Sequence, residues 1–416
     1  MERYPSYKPS GVKWLGEIPS HWEMICTKHI ARLYTGNSMN EASKEKYSCF
    51  RNDAYPYISS KDISLNNGDV DYENGMYIPR GENSFEVAPA NSFLLCIEGG
   101  SAGRKKAFLD RECCFVNKLC CYDSAINPKY HYYFIQSAYF RALFNCSLQG
   151  MIGGVSVSVL KSFYTIVPPV KEQSAIASYL DTVIVKIDTA IAQQQKMIDL
   201  LNERKQIIIN RAVTKGLNPD VKMKDSGVEW IGEVPEDWEV MRMRYLCSIT
   251  TGNKDTINRV EDGLYPFYVR SPKVERINTY SYDGEAVLMA GDGVGAGKVF
   301  HYVNGKFDYH QRVYNFYNIK KIKAKLLYYY MKSHFRYVIE QLSAKSTVDS
   351  VRLNMIQDFL VVIPPMQEQL DLIEYLDSQM KNLDDSISMF ENQISLLQER
   401  KQIIINEVVT GKVKVV

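Results

Sequence analysis

Two sets of residues recur along this chain at fixed distances, and together they divide it into halves built on one plan. Ser10-Gly11-Val12, Trp14, Gly16-Glu17, Pro19 and Trp22-Glu23 return 216 positions later as Ser226-Gly227-Val228, Trp230, Gly232-Glu233, Pro235 and Trp238-Glu239. Thr35-Gly36-Asn37 returns at the same interval as Thr251-Gly252-Asn253. The run ERKQIIIN stands at 203–210 and at 399–406, preceded by Pro168-Pro169 and Pro364-Pro365, all at an interval of 196. Matched ends around dissimilar middles describe a tandem unit of about two hundred residues whose frame stayed fixed while its centre diverged. A duplicated frame around two different inserts suits a reader of two different half-sites better than a single catalytic constellation. Repeats that only build size vary on one face of short units, not through a domain-sized insert.

The 416 residues, 45% apolar and 24% charged, allow two or three domains with ordinary globular cores. No stretch approaches the roughly 18 uninterrupted apolar residues of a membrane helix. The opening MERYPSYKPSGVKW lacks the apolar core of a signal peptide, so a cytoplasmic location is expected. Eight of the nine cysteines lie in the first half and only Cys247 in the second, so the repeats share no disulfide framework. The doublets Cys113-Cys114 and Cys120-Cys121 do not have a zinc-site spacing; the alternation in ECCFVNKLCCYD reads instead as a strand using cysteine as a small apolar residue. A net charge of +2 excludes a protein that coats nucleic acid indiscriminately, and any DNA-binding charge must be local.

After each proline pair, apolar residues fall three and four apart over about six heptads. The first series is Ile176, Leu180, Ile184, Ile187, Ile191, Ile198 and Leu201, running on to Ile208 and Ala212. The second is Leu372, Leu376, Met380, Leu383, Ile387, Phe390, Ile394 and Leu397, running on to Ile404 and Val408. This is a coiled-coil seam, with the prolines in the first turn, and a helix over 172–213 is about 60 Å long at ~1.5 Å per residue. A module of about 140 residues, with a radius of gyration near ~14 Å, hardly bridges that length. The two helices are therefore expected to run antiparallel, with a module at each end and a pseudo-two-fold axis across the coil. DNA half-sites are related by axes of that kind.

The order of variable module, PPxxEQ-type helix, variable module, PPxxEQ-type helix resembles the specificity subunits of type I restriction–modification systems. VPPVKEQ at 167–173, IPPMQEQ at 363–369 and the paired openings GVKWLGEIPSHWE and GVEWIGEVPEDWE carry the resemblance, which covers essentially the whole chain. It implies an α/β (α+β) fold with target-recognition domains of mixed sheet and helices at 1–168 and 216–364. Conserved helices at 169–215 and 365–416 would form the long antiparallel coiled coil between them. It further implies that each domain reads one half of a bipartite sequence in double-stranded DNA, with the helices as a ruler for the spacer. The implied partners are two modification subunits, which methylate adenine with S-adenosylmethionine, and through them ATP- and Mg-dependent restriction subunits. The chain itself is expected to have no catalytic residue, metal or cofactor, and no membrane partner.

The adenine-methyltransferase signature of Asn or Asp before Pro-Pro and an aromatic is absent, since both proline pairs follow Val or Ile. GDGVGAGK at 291–298 fails as a phosphate loop, because Asp292 stands where glycine is needed and Val299 where Ser or Thr is needed. The segment nonetheless aligns with IEGGSAGRKKAF at 97–108, placing Gly103-Arg104, followed by Lys105, opposite Gly297-Lys298. Such a loop either brings a cation close to a groove or only turns a hairpin. YPYISSKDI at 55–63 likewise matches YPFYVRSPKV at 265–274, which adds Ser59, Ser60, Lys61 and Asp62 in one module and Arg270, Ser271 and Lys273 in the other. Asn117-Lys118 falls opposite Gln311-Arg312. The resemblance puts polar residues of this kind at strand ends facing DNA, where Asn, Gln and Arg can pair with base edges. A solvated turn has the same appearance.

The first module has about 22 extra residues, including NSMNEASKEKYSCFRND, so an asymmetric target is expected. YHYYFIQSAYFRALF and KLLYYYMKSHFRYVI read as packed helices whose aromatics belong to the core. Two further function classes are compatible with the sequence. One is an orphan subunit paired only with a methyltransferase; the other is a coiled-coil scaffold that binds no DNA.

Overall fold

A computed structural model describes residues 2–48, 53–149, 153–343 and 350–415. The chain forms two compact units, one made of Met1–Gln195 with Asn392–Val416 and the other of Lys196–Glu391. Helices Val170–Lys215 and Met366–Val409 each contribute to both. The fold is mixed α and β, with the same frame in each unit.

In the first unit, strands Tyr7–Pro9 and Glu17–Pro19 form a hairpin, and Glu23–Cys26 pairs antiparallel with Tyr164–Val167. The second unit repeats this with Met223–Asp225 on Glu233–Pro235, and Glu239–Arg242 on Leu360–Ile363. The repeated Trp-Glu and PPxxEQ motifs meet here. Trp22 is fully buried and donates from Nε1 to Glu172 (3.0 Å), whose other oxygen is 2.7 Å from His21 Nε2. Trp238 is fully buried and donates to Glu368 (2.8 Å). Gln173 and Gln369, also buried, stitch the start of each helix to the module. Gln173 accepts from Asn127 N–H and donates to Pro168 O, while Gln369 accepts from Lys323 N–H and donates to the carbonyls of Lys321 and Pro364. The second proline of each pair stands just before its helix, where its carbonyl accepts the first helical hydrogen bond, so it caps the helix instead of occupying the first turn.

Further along, Asp181 takes the ammonium of Lys129 and the hydroxyl of Tyr133, and Asp377 takes those of Lys325 and Tyr329. The lysine of each ERKQIIIN run closes an ion pair with the opposite helix: Lys401 with Asp188 in the first unit and Lys205 with Asp384 in the second. In the first unit the start of one helix (Ile176, Leu180, Ile184) shares a core with the end of the other (Ile405, Val408, Val409). In the second unit, Leu372, Leu376 and Leu383 share a core with Ile209, Ala212 and Val213. The pairing is therefore antiparallel within each unit.

Of the expected seam, Ile187, Ile198 and Ile387 are also buried, while Ile191, Leu201, Phe390, Ile394 and Leu397 are half-buried. Near the helix ends the fully buried residues are Ile209 and Ile405, with Ile208 and Ile404 only half-buried. There the frame around Trp238 and Trp22 encloses a wider face of the helix than a two-helix seam does.

The modules are sheets. The first has one sheet in the order Tyr77–Pro79, Ala54–Ile58, Cys113–Phe115, Val87–Ala88 and another in the order Ala31–Thr35, Leu119–Ser124, Phe93–Cys96, Lys106–Phe108. The second has six strands in the order Ser248–Thr251, Val313–Tyr317, Tyr282–Ala290, Phe300–Tyr309, Tyr265–Tyr268, Glu275–Ile277. The four doublet cysteines are buried core residues, and burial raises their thiol pKa, that of Cys121 to about 11 and Cys114 to about 12. ECCFVNKLCCYD is not one strand, however: the chain leaves the first sheet after Phe115 and enters the second at Leu119. YHYYFIQSAYFRALF is likewise two helices, Pro128–Phe134 and Ala138–Cys146, because Ser137 caps a new helix start by accepting from Phe140 N–H. Its counterpart Ala324–Ser343 is continuous. The Ser/Lys-rich stretch contains a short helix, Glu41–Tyr47; its residues 49–52 lie outside the described residues. No helix among the described residues is long and apolar enough to cross a membrane.

Candidate nucleic-acid interface

Among the described residues each module has one parallel strand pair, and it gathers the polar residues singled out in the sequence. Ala54–Ile58 runs parallel to Cys113–Phe115, and Tyr265–Tyr268 parallel to the end of Phe300–Tyr309. Parallel strands point their carboxyl ends the same way, so the residues that follow them emerge side by side. In the first module these are Ser59–Asp62 and Val116–Lys118, joined where Val116 N–H donates to Ile58 O (2.9 Å). In the second they are Val269–Lys273 and His310–Arg312, joined where His310 N–H donates to Tyr268 O (2.9 Å).

The repeated Thr-Gly-Asn crosses directly over this edge. A Cβ on Gly36 would lie 1.8 Å from Phe115 O, and one on Gly252 would lie 2.0 Å from Tyr309 O. Glycine is required at both positions by this close approach, which neither segment showed from sequence alone.

In the first module Lys105 Nζ donates to Ser60 O (2.6 Å), which ties the glycine loop to the strand end. Ser59 and Asp62 cap the short turn between them, with Asp62 accepting from the Ser59 amide and hydroxyl, so their polar atoms are already engaged. Lys61, Arg104, Asn117 and Lys118 are exposed. Gly103 and Gly297 both have positive φ and pack tightly, against Phe144 and Ile339 respectively. The loop is thus a packed corner, with the exposed Arg104 and Lys298 beside it.

The second module is more ordered. Asp292, 8% exposed, accepts from Arg270 Nη1 (3.1 Å) on one oxygen and from Arg312 Nη1 (2.6 Å) on the other. Gln311 Nε2 donates to Asp255 (2.9 Å). His310 Nδ1 accepts from Arg312 N–H (3.0 Å), and burial, followed by the charge of Arg270, lowers its pKa below the ordinary histidine value. A cleft of about 530 Å³ opens beside these groups, lined by Thr251, Asp292, Gln311, Arg312, Ser350 and Arg352. Ser271 donates to Lys273 O, and Lys273 pairs with Glu275, so these two look along the sheet edge. Asp292, Asp255 and Arg352 are not among the residues that the paired motifs single out. The first was in view: the residue that disqualifies 291–298 as a phosphate loop is the one that holds the two arginines.

Lys106 is not singled out by the motifs either. It faces a cleft of about 560 Å³ in the first unit, lined by Asn66, Asn67, Arg104, Asp188 and Lys401 among others. Its pKa is pushed down from 10.5 to about 8, chiefly by burial and then by Arg141 and Lys401. Below pH 8 the folded and unfolded chains both hold this proton, and the cost of burying the charge is fully present. Between about pH 8 and 10.5 only the unfolded chain keeps it, so stability rises with pH across that window. Lys106→Met is therefore expected to be more stable than the parent at pH 7, by on the order of 1–3 kcal/mol, with the difference shrinking at pH 10. Urea unfolding at the two pH values measures this, and an unchanged difference would refute it. Among the described residues, no group of three or more His, Cys, Asp and Glu side chains has metal-holding geometry.

Comparison with known proteins adds an independent line. A family model described as "Type I restriction modification DNA specificity domain" matches twice, over residues 19–198 and 235–396. The type I restriction enzyme EcoDI specificity subunit of Escherichia coli is 29% identical over 181 residues, which are 44% of this chain and 40% of that protein. The chain thus aligns with less than half the length of that relative. The MjaVIII specificity subunit of Methanocaldococcus jannaschii is 22% identical over 436 residues, 96% of this chain and 94% of the relative. A chain in a structure of a type I R-M system shares the fold, with a TM-score of 0.70 at 12% identity, over 95% of this chain and 99% of that one.

Proposed function

The chain belongs to the type I restriction modification DNA specificity family, with two copies of the domain, and on that premise we propose that it is the DNA-reading subunit of a restriction–modification complex. Each module reads one half of an asymmetric, gapped target in double-stranded DNA. The helices at 169–215 and 365–416 fix the separation of the domains at 1–168 and 216–364. The chain performs no chemistry; two partner subunits methylate adenine with S-adenosylmethionine, and ATP- and Mg-dependent restriction subunits join through them. The observation that carries this reading is the duplicated parallel-strand edge, which in both modules gathers exposed cations and amides from three separate segments. Lys61, Arg104 and Asn117-Lys118 meet in one, and Arg270, Lys298 and Gln311-Arg312 in the other. Phosphate contacts set position and base-edge contacts set sequence, and both need such a convergence.

The test is co-expression with a methyltransferase partner in a host free of DNA methylation, followed by mapping of modified adenines. The expected result is one gapped, asymmetric motif, modified on each strand and lost when this chain is omitted. A soluble, assembled complex that modifies no gapped motif would overturn the reading.

A further inference from the structure

The polar edge of the second module differs in kind from that of the first. Asp292 is nearly buried and divides its two oxygens between two arginines that reach it from different loops, Arg270 after one parallel strand and Arg312 after the other. The loop that carries Asp292 is fixed against both. A Cβ on Gly295 would meet Arg270 O at 2.5 Å, and one on Gly291 would meet Tyr314 at 2.8 Å and Arg312 O at 3.1 Å. Each guanidinium gives one Nη1 bond to the carboxylate and keeps its Nη2 side without a partner among the described residues; the side chains are 45% and 59% exposed, and Arg312 and Asp292 line the cleft.

Two positive charges against one negative leave an excess of one, on groups that have already given up much of their rotational freedom. A phosphate can be held by a swinging cation as well as by a fixed one, so such fixation matters less for backbone contact than for reading a base edge. A rigid, planar fork is what the paired acceptors O6 and N7 of guanine require. Guidance by a buried carboxylate also lowers the ordering cost at binding.

At the matching positions the first module has Ser60 and Lys118 in place of the two arginines. Glu98, which aligns with Asp292, has no arginine partner among the described residues. We propose that the second module selects a guanine in its half-site through Arg270 and Arg312, with Asp292 as the positioning residue that holds both in reading geometry. This rests on the specificity-subunit reading above.

The experiment uses the full chain assembled with its methyltransferase partner. It measures equilibrium binding to duplexes carrying each base in turn along the second half-site, together with the salt dependence of binding. The parent complex is expected to prefer guanine at one position. Asp292→Asn, nearly isosteric, is expected to reduce that preference about tenfold or more, while selection of the first half-site and the salt slope stay unchanged. Arg312→Lys keeps the charge but not the fork and is expected to behave likewise. Lys298→Ala is expected to weaken all sequences together. Retained selection of the first half-site in each variant shows that the protein is folded.

If Asp292→Asn shifts the affinity for all duplexes equally, in the direction of tighter binding that two freed cations give or otherwise, and leaves the preference intact, the pair is a phosphate clamp and the proposal is overturned. A second half-site without guanine overturns it as well. Failure of the parent complex to select any gapped sequence overturns instead the reading on which the proposal rests.

Discussion

Gly36→Ala is expected to disrupt the first module, at a cost above about 3 kcal/mol, which is at the upper end for overpacking. The added methyl would sit 1.8 Å from Phe115 O and 2.5 Å from the carbonyl carbon of the same residue. No side-chain rotation relieves a clash with backbone. Relief requires the Gly36-Asn37 segment, which follows the strand Ala31–Thr35, to lift away from the end of Cys113–Phe115, breaking the bond from Asn37 N–H to Phe115 O (2.9 Å). Gly252→Ala meets Tyr309 O at 2.0 Å and is expected to do the same to the second module. Denaturant unfolding, with hydrogen exchange followed separately in residues 113–124 and 300–317, would show the damage confined to the module that carries the change. A Gly36→Ala protein within about 1 kcal/mol of the parent would mean that the close approach does not exist.

Gln369→Met is expected to cost about 3 kcal/mol or more. The side chain is 1% exposed and its amide satisfies three backbone groups: Lys323 N–H (2.7 Å), Lys321 O (2.8 Å) and Pro364 O (2.9 Å). Methionine fills the volume but leaves all three without that partner, one of them buried and two partly buried, at roughly 1–3 kcal/mol for a buried group left unpaired and less for the others. Gln173→Met removes one bond from Asn127 N–H and one to Pro168 O and is expected to cost less. The ranking of the two is the informative result. Equal small losses in thermal or urea unfolding would indicate that water replaces the amide and that the glutamine is not the fastening of the helix to its module.

These two cases mark how far the sequence reaches. The helices were legible because a local period of three and four residues determines them, and the frame was legible because each of its residues occurs twice at a fixed interval. The role of each frame residue was not legible. Trp22 and Glu172 meet across 150 positions of chain, and Tyr133 and Asp181 across 48. Only the parallel strand pairing explains why a Thr-Gly-Asn needs its glycine. The candidate site divides in the same way. Alignment of the two halves located Arg270, Arg104, Asn117 and Arg312, but the carboxylate that binds two of the arginines together was hidden in a glycine-rich segment that looked like a failed phosphate loop. The broken helix at Ser137 was readable, since a serine followed by helix-forming residues is a cap signal. The break in ECCFVNKLCCYD was not, because both pieces are apolar and the change of sheet is a tertiary event.

The division of the long helices between the units bears on the order in which the protein can be completed as it leaves the ribosome. The second unit is one uninterrupted stretch, Lys196–Glu391. The first is not: Ile176, Leu180 and Trp22 complete their packing only against Ile405, Val408, Val409 and Gly411, which are made more than two hundred residues later. Throughout the synthesis of the second unit, the apolar face of the first waits uncovered. The half of the molecule that is translated first is therefore the half that is finished last, and its exposure to wrong partners lasts as long as the other half takes to be made.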